Sequence, residues 1–528
     1  LSLLTQRLAV LNDTAHASLT RVYKGLEKES LRVNGEGTLA QTPHPAALGS
    51  AMTHPGITTD YSESLLEFIT PPGDSTDSLL KQLDEIQRYT YQVLDDEYLW
   101  VASMPCMLAG DDNIPVGRYG TSNPARMKTI YRLGLGERYG RAMQTIAGIH
   151  YNFSLNDEFW HFWHGREGNG DSLQRYKNRR YFDLIRNFRR TFWLLLYLFG
   201  ASPAVCKSFV RGRDHNLVPF GSDTHSLHLP YATSLRMGDL GYQSSAQNSL
   251  VVDYNHLETY LSTLCAAITQ PHPDYTARGL KDADGNYKQL NTSLLQIENE
   301  FYSTIRPKRT ARSGETALGA LHNRGVEYIE VRCIDLNPYE PLGINAQQID
   351  FMDVFLLYCL LSDSPETDCV KYKRAQENQR LIVTRGRDTS MRLHSAAGDQ
   401  SVQQWGNAML DDILRVAQLL DRSYDTSLYS EAVEAQRIKL AQPQLTPSAQ
   451  ILTDMASRDE TFFRFAMNQS LRHADYYRQR PLQGDALQRM QALARDSLAQ
   501  QQDLDARHWE PFEDYLANYY AQYTCCQG

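Results

Sequence analysis

The sequence predicts an α+β fold in which an antiparallel sheet forms first and helices complete the chain. Three observations point there. Short segments with period-two alternation of polar and apolar residues fall in the first two thirds of the chain. From about residue 345 onward the apolar residues keep helical spacing. No glycine fingerprint of a parallel nucleotide-binding sheet occurs. Residues 1–345 are therefore expected to form the sheet-containing core. Residues 346–528 are expected to be a helical region packed on that core rather than an independent domain.

Residues 2–12 read as a short helix, and GLEKESLRVN (25–34) lies in the opening strand, expected over about 22–33. On that strand Glu27 and Glu29 share a face with Leu31 and Val33, while Lys28, Ser30 and Arg32 take the other. ITTDYSESLLEFITP (57–71) marks a loop-to-strand transition carrying Asp60 and Glu67. Asp74 or Ser75 is placed to cap a helix in which Leu79, Leu80, Leu83, Ile86 and Leu94 keep helical spacing. GIHYNFSL (148–155) alternates, with His150, Asn152 and Ser154 on its polar face. A long helix is expected over about 172–199, ending at Gly200. LLQIENEFY (294–302) and VEYIEVRCID (326–335) read as strands, the first presenting Gln296, Glu298 and Glu300, the second Glu330 and Arg332. INAQQIDFMDVFLLYCLL, WGNAMLDDILRVAQLL and the polar segments after them read as helices.

Composition narrows the classes. A net charge of −9, from 53 basic and 62 acidic residues, argues against a nucleic-acid partner held by phosphate contacts. The longest apolar run, FWLLLYLFGA (192–201), is about half the ~20 residues a membrane-spanning helix needs. The first twenty residues lack the basic start and continuous apolar stretch of a signal peptide. The eight cysteines are scattered, with no CxxC pair and no zinc spacing, which reads as a reduced cytoplasmic inventory without a disulfide framework. A monomer is expected, with no membrane or nucleic-acid partner.

The polar strand faces carry the chemistry. Any one of them could be an ordinary solvated face, but several are built from carboxylates, histidine and amides with few Lys or Thr. Carboxylates beside core residues need cations, because an isolated buried charge costs several kcal/mol. Arg332 is one cation among many acids, so divalent metal accounts for them better. Carboxylate oxygens with at most one imidazole suit Mg²⁺ or Mn²⁺ rather than zinc. Mg²⁺ commonly bridges protein carboxylates to substrate phosphates, so the pattern implies a nucleotide-phosphate site without a P-loop. GxxxxGK[ST], HExxH and GxSxG are all absent. GLGERYG (134–140) has the wrong glycine spacing for a dinucleotide site and reads as loop. The IRPKR cluster, with Arg306, Lys308 and Arg309, follows a polar-faced strand and is placed to reach triphosphate or a substrate carboxylate. TIYRLGLGERYGRAM (129–143) has the Arg, Tyr and Gly content of a mobile loop closing on an anion.

Several long stretches occur in one order: GLEKESLRVN, LGSAMTHPGITTDYSESLLEFITP, YGTSN, GIHYNFS, YLFGASPA, LPYATSLRMGDLGY, LQIENEFYSTIRPKR and GVEYIEVRCIDLNP. Over roughly residues 20–360 the chain thereby resembles the proteobacterial type of glutamate–cysteine ligase. The resemblance implies a glutamine-synthetase-like fold, a curved antiparallel sheet forming a funnel whose inner face holds metals and ATP. It implies ligation of the glutamate γ-carboxylate to the cysteine amine through a γ-glutamyl phosphate, with ATP as cosubstrate and Mg²⁺, or Mn²⁺, as cofactor. A related ligase with another acceptor amine would share the sheet residues. The resemblance makes Glu27, Glu29, Asp60, Glu67, His150 and Glu330 metal ligands, and Arg332, joined by Arg132, the groups that steady the transferring phosphoryl. It turns Asn152, Arg306, Lys308 and Arg309 toward nucleotide or glutamate. Tyr61, Tyr131, Leu135, Ile146 and Tyr242 become the cysteine pocket, and Arg236 a ligand for a substrate carboxylate. Tyr61 stands where the family has Phe.

Overall fold

Seven strands hydrogen-bond into one antiparallel sheet. The computed structural model describes residues 2–12, 20–105, 107–241, 247 and 250–523. In chain order the strands are β1 (Val22–Val33), β2 (Ile57–Thr59), β3 (Leu65–Ile69), β4 (Tyr98–Leu99), β5 (Ile149–Leu155), β6 (Ala204–Cys206), β7 (Val218–Phe220), β8 (Asp223–His228), β9 (Ile305–Lys308), β10 (Tyr328–Ile334), β11 (Leu393–Ser395) and β12 (Gly398–Gln400). The main sheet runs β2–β3–β1–β5–β10–β9, with β4 added to one end of β1. Strands β6, β8 and β7 form a separate small sheet, and β11–β12 is a hairpin.

The helices are α1 (Leu3–Leu11), α2 (Thr76–Val93), α3 (Asn123–Tyr139), α4 (Asp157–Glu167), α5 (Leu173–Thr191), α6 (Trp193–Phe199), α7 (Leu257–Thr269), α8 (Pro273–Arg278), α9 (Ala317–Arg324), α10 (Ala346–Leu361), α11 (Cys369–Arg385), α12 (Val402–Tyr424), α13 (Leu428–Ala441), α14 (Pro447–Ser457), α15 (Phe462–Arg478), α16 (Gly484–Ala506) and α17 (Phe512–Tyr520). Ser75 caps α2 by accepting the Ser78 amide, as its place before an apolar-periodic segment predicts. Helix α10 is buried on every side, packed by α5, α12 and α13. Among the described residues no helix is long and apolar enough to cross a membrane.

Strand β1 is buried on both faces, so its cationic side does not meet solvent. Lys24 pairs with Asp353 of α10 in a fully enclosed ion pair, and Tyr151 donates to the same carboxylate. Arg32 is fully buried and reaches Glu97 at 2.6 Å. Among the described residues Lys28 has no carboxylate partner; its amine donates to Gln87 and, at 3.1 Å, to Ser30. The sheet thus carries acids on one face of its central strand and buried cations on the other.

Four expectations are corrected. The helix expected over 172–199 breaks at Phe192 into α5 and α6. Residues 294–302 are not a strand. Their alternating polar groups bind locally: Gln296 accepts the Leu290 amide at 2.9 Å, Glu298 the Leu318 amide at 2.9 Å, and Glu300 the Arg138 guanidinium at 2.9 Å. The strand of this region is the basic segment Ile305–Lys308 instead. Residues 129–143 are no mobile loop, since most of them lie in α3. A Cβ on Gly134 would meet the Gln296 side chain at 2.0 Å and one on Gly136 the Tyr61 hydroxyl at 2.5 Å, so these glycines serve close approach. Finally, the β11–β12 hairpin interrupts the helices after residue 345. Of the cysteines, Cys206, Cys333 and Cys359 are buried thiols, Cys369 is an exposed one, and Cys265 is disulfide-bonded.

Candidate active site

Strand register alone gathers the polar groups on one side of the sheet. Glu27 of β1 pairs across to His150 of β5, and Glu29 pairs across to Glu67 of β3. On the other flank Glu330 of β10 stands opposite Asn152 of β5 and Arg306 of β9. Partners opposite each other, and residues two apart, share a face, so all these side chains point the same way. His150 is the hub. Its Nδ1 lies 3.0 Å from Glu27 and 4.0 Å from Glu330, and its Nε2 lies 3.5 Å from Glu29. Asn152 donates to Glu27 at 2.8 Å and so orients that carboxylate. The β10–β5 register shifts between Val331 and Ile334. This irregularity accompanies Arg332, whose Nη1 is 3.2 Å from Glu330 and 3.4 Å from His150.

The acids divide into two electrostatic classes. Burial pushes Glu330 up, but Lys308, Arg332, His150 and Arg306 outweigh it and hold the carboxyl well below the usual range. Burial likewise acts against the Glu27 charge, and the hydrogen bond from His150 leads the effects that bring it below its ordinary value. Burial pushes Glu29 well above that range, and Asp60 and Glu67 push it further. Burial, then Glu27 and Asp60, raises Glu67 to about 8. Burial, then the Arg332 charge, lowers the His150 pKa. The Glu27–Glu330 side is thus balanced by the chain's own cations, while on the Glu29–Glu67 side burial and mutual repulsion disfavour the charged acids.

A cavity of about 590 Å³ opens above this face. Its floor includes Glu27, Asp60, Glu67, His150, Glu330 and Arg332, and Arg306 and Lys308 form one wall. Helix α3 also lines it through Lys128, Tyr131, Arg132 and Leu135, as does Tyr61. Glu29 and Ile146 line a smaller adjoining cavity with Asp60, Gln144 and Tyr302. The Tyr61 hydroxyl is buried with no hydrogen-bond partner among the described residues. Two residues lie elsewhere than expected. Arg236 is fully buried, 3.7 Å from Asp335, and donates to the Arg332 carbonyl at 3.0 Å, so it supports the β10 backbone. Arg309 turns away to Glu327, at 3.8 Å. Tyr242 lies outside the described residues.

A family model described as glutamate–cysteine ligase matches residues 8–382. The glutamate–cysteine ligase of Saccharophagus degradans is 53% identical over 98% of both chains, and that of Alcanivorax borkumensis 52% over 98% of this chain and 99% of its own. The chain belongs to the glutamate–cysteine ligase family. The ligase is also similar to a crystal structure of Francisella tularensis glutamate–cysteine ligase in complex with AMP, with a TM-score of 0.89 and 35% identity, covering 96% of this chain and 99% of that one. A bifunctional glutathione synthetase from Pasteurella multocida shares the fold at a TM-score of 0.70 and 23% identity, covering 90% of this chain and 55% of that one.

The ligase's donor set fits divalent metal. Glu27, His150 and Glu330 form one group, and Glu29, Glu67 and His150 a second, each offering ligand atoms within 4.8 Å of one another. His150 Nε2 is buried with no hydrogen-bond partner among the described residues, as a ligand atom for a cation would be. Oxygen donors with a single imidazole match Mg²⁺ or Mn²⁺. Asp60 lies outside both groups, though its charge acts on Glu29 and Glu67. Sequence reasoning missed Lys128, Gln144 and Tyr302. The signal for Lys128 was its i,i+4 spacing from Arg132, hidden because the segment read as loop.

Proposed function

We propose that this ligase joins the γ-carboxylate of L-glutamate to the amine of L-cysteine, cleaving ATP to ADP and phosphate, at the sheet face centred on His150. The observation that carries this reading is the convergence of carboxylates from β1, β3 and β10 on one imidazole, flanked by Arg306, Lys308 and Arg332. Such a face suits two anions that must meet. A carboxylate is a poor electrophile; attack of its oxygen on the γ-phosphorus of ATP, with ADP leaving, makes γ-glutamyl phosphate. The cysteine amine then attacks the acyl carbon and phosphate leaves, so no covalent enzyme nucleophile is required. Divalent cations bound at the two donor groups would neutralise charge on the phosphates and on the attacking carboxylate.

The chain's own groups do the rest. Glu27 and Glu330 with His150 would hold one cation, and Glu29 and Glu67 with His150 the other. Arg332 sits where its guanidinium can follow the transferring phosphoryl, with Lys308 and Arg306 beside it for the nucleotide phosphates. Asn152 acts by orienting Glu27 rather than by touching nucleotide. Tyr61, Tyr131 and Leu135 form the apolar wall for the acceptor. ADP release dependent on glutamate, cysteine and Mg²⁺ together, with γ-glutamylcysteine identified by mass, tests the reading. Turnover with another amine but with neither cysteine nor 2-aminobutyrate would overturn the acceptor assignment.

A further inference from the structure

A second cavity, of about 400 Å³, lies between α5, α11 and residues 301–304. Among the described residues it shares only Tyr302 with the cavity above the sheet face. Its size falls in the roughly 300–1,000 Å³ range of small-molecule sites. Phe192, Met237, Leu250, Val252 and Phe301 give it an apolar wall. One cation in it is unspent. Arg189 of α5 is half-buried, its guanidinium carbon 4.3 Å from the centre of the Tyr254 ring and 5.4 Å from that of Tyr372. The Tyr254 ring is itself held by a 2.8 Å hydrogen bond between its hydroxyl and Ser303. A guanidinium carries five donors, yet among the described residues Arg189 has no ion pair and donates no hydrogen bond. The neighbouring cations are committed. Arg186 pairs with Asp183, and Arg190 donates to the Pro365 carbonyl and, at 3.0 Å, to Thr367. Arg380 takes Glu377 in a two-bond fork at 2.6 and 2.8 Å.

We propose that this second cavity binds a small organic monocarboxylate with an apolar body, its carboxylate held by Arg189. A carboxylate offers two coplanar oxygens to the guanidinium fork, which makes the pair both strong and directional. Single charge is favoured because Asp239 and Glu377 line the same cavity and oppose a doubly charged phosphate. Lys373 also lines it but is exposed, so solvent and salt screen its charge. The ligand's body lodges against the apolar wall, which a bare inorganic anion would leave unfilled. None of Glu27, Glu29, Glu67, His150, Glu330 and Arg332 lines this cavity. The site therefore stands apart from the ligase reading above.

Calorimetric titration of the full chain with 3-phenylpropionate tests this. The wild type binds it at one site, and 3-phenylpropanol, which lacks the carboxylate, binds about 10- to 100-fold more weakly, the worth of one charge-assisted hydrogen bond. Arg189→Met loses the same factor for the acid and none for the alcohol. Arg189→Lys, which keeps the charge but not the fork, recovers part of it. Ala375→Trp keeps Arg189 and fills the cavity that Ala375 lines, so it abolishes binding of both probes. Arg332→Ala, altered in the other cavity, binds the acid as the wild type does. No binding of the acid by the wild type, equal affinity in Arg189→Met, or a loss in Arg332→Ala without one in Ala375→Trp overturns the proposal. Inorganic phosphate displacing the acid at equal concentration would overturn the ligand class.

Discussion

Lys28→Met tests the physical description of β1 in a way no activity assay can. The Lys28 amine faces Gln87 and Tyr91 of α2, His473 and Tyr477 of α15, Glu340 and Gly343 of the loop before α10, its own strand neighbour Ser30, and the Phe68 ring of β3 at 5.8 Å. Burial brings its pKa from an ordinary 10.5 down to about 7, and buried His473, at about 4, adds no charge near neutrality. At ~1.36 kcal/mol per pH unit, housing this amine costs roughly 4 kcal/mol at neutral pH. The sign follows from proton binding. Above pH 7 the folded protein holds Lys28 neutral, while the unfolded chain keeps the proton up to about 10.5. The unfolded state binds more protons there, so Lys28 makes stability rise with pH between those values and contributes no slope below them. Urea unfolding of wild type and Lys28→Met should therefore diverge in slope. The wild type gains about 2 kcal/mol relative to the variant from pH 7.5 to 9. The absolute offset also contains the donor that Gln87 loses, so the slope is the quantity to read. Parallel profiles would refute the account of Lys28 as an unpaired, largely neutral buried amine.

Three further outcomes are expected. Asp353→Ala leaves the enclosed Lys24 ammonium and the Tyr151 hydroxyl without their acceptor, and should cost about 3–5 kcal/mol in chemical denaturation. Arg332→Ala should lower kcat by about 10³-fold or more with the thermal midpoint nearly unchanged, whereas Arg309→Ala, whose partner Glu327 lies away from the cavity, should leave turnover within about twofold. Tyr61→Phe removes a buried hydroxyl that has no partner among the described residues, and should raise stability by about 1 kcal/mol, read as a higher urea midpoint.

The sheet was legible because alternation is a strong local signal where one face must carry charge. GLEKESLRVN and GIHYNFSL both lie in strands with the expected faces, and their register brings Glu27 to His150. Alternation misled at Gln296, Glu298 and Glu300, because side chains that satisfy loop amides can take the same spacing as a sheet face. Composition misled at Gly134 and Gly136, which mark close packing of α3 against Gln296 and Tyr61 rather than flexibility. The burial of Lys24, Lys28 and Arg32 was invisible in the strand alone. Their partners Asp353, Gln87 and Glu97 are remote in sequence or set by helix packing. Arg236 was legible as an important cation but not as a support for the Arg332 backbone, since only the fold brings Gly148 and β10 against it.

The central claim is that Glu27 and Glu29, neighbours on one strand face, serve different cations with His150 between them. Anomalous diffraction from crystals grown with ADP and Mn²⁺ tests it directly. The account predicts separate manganese peaks on the two sides of the imidazole, one contacting Glu27 and Glu330, the other Glu29 and Glu67. A single peak shared by Glu27 and Glu29, or peaks that touch neither group, would contradict it.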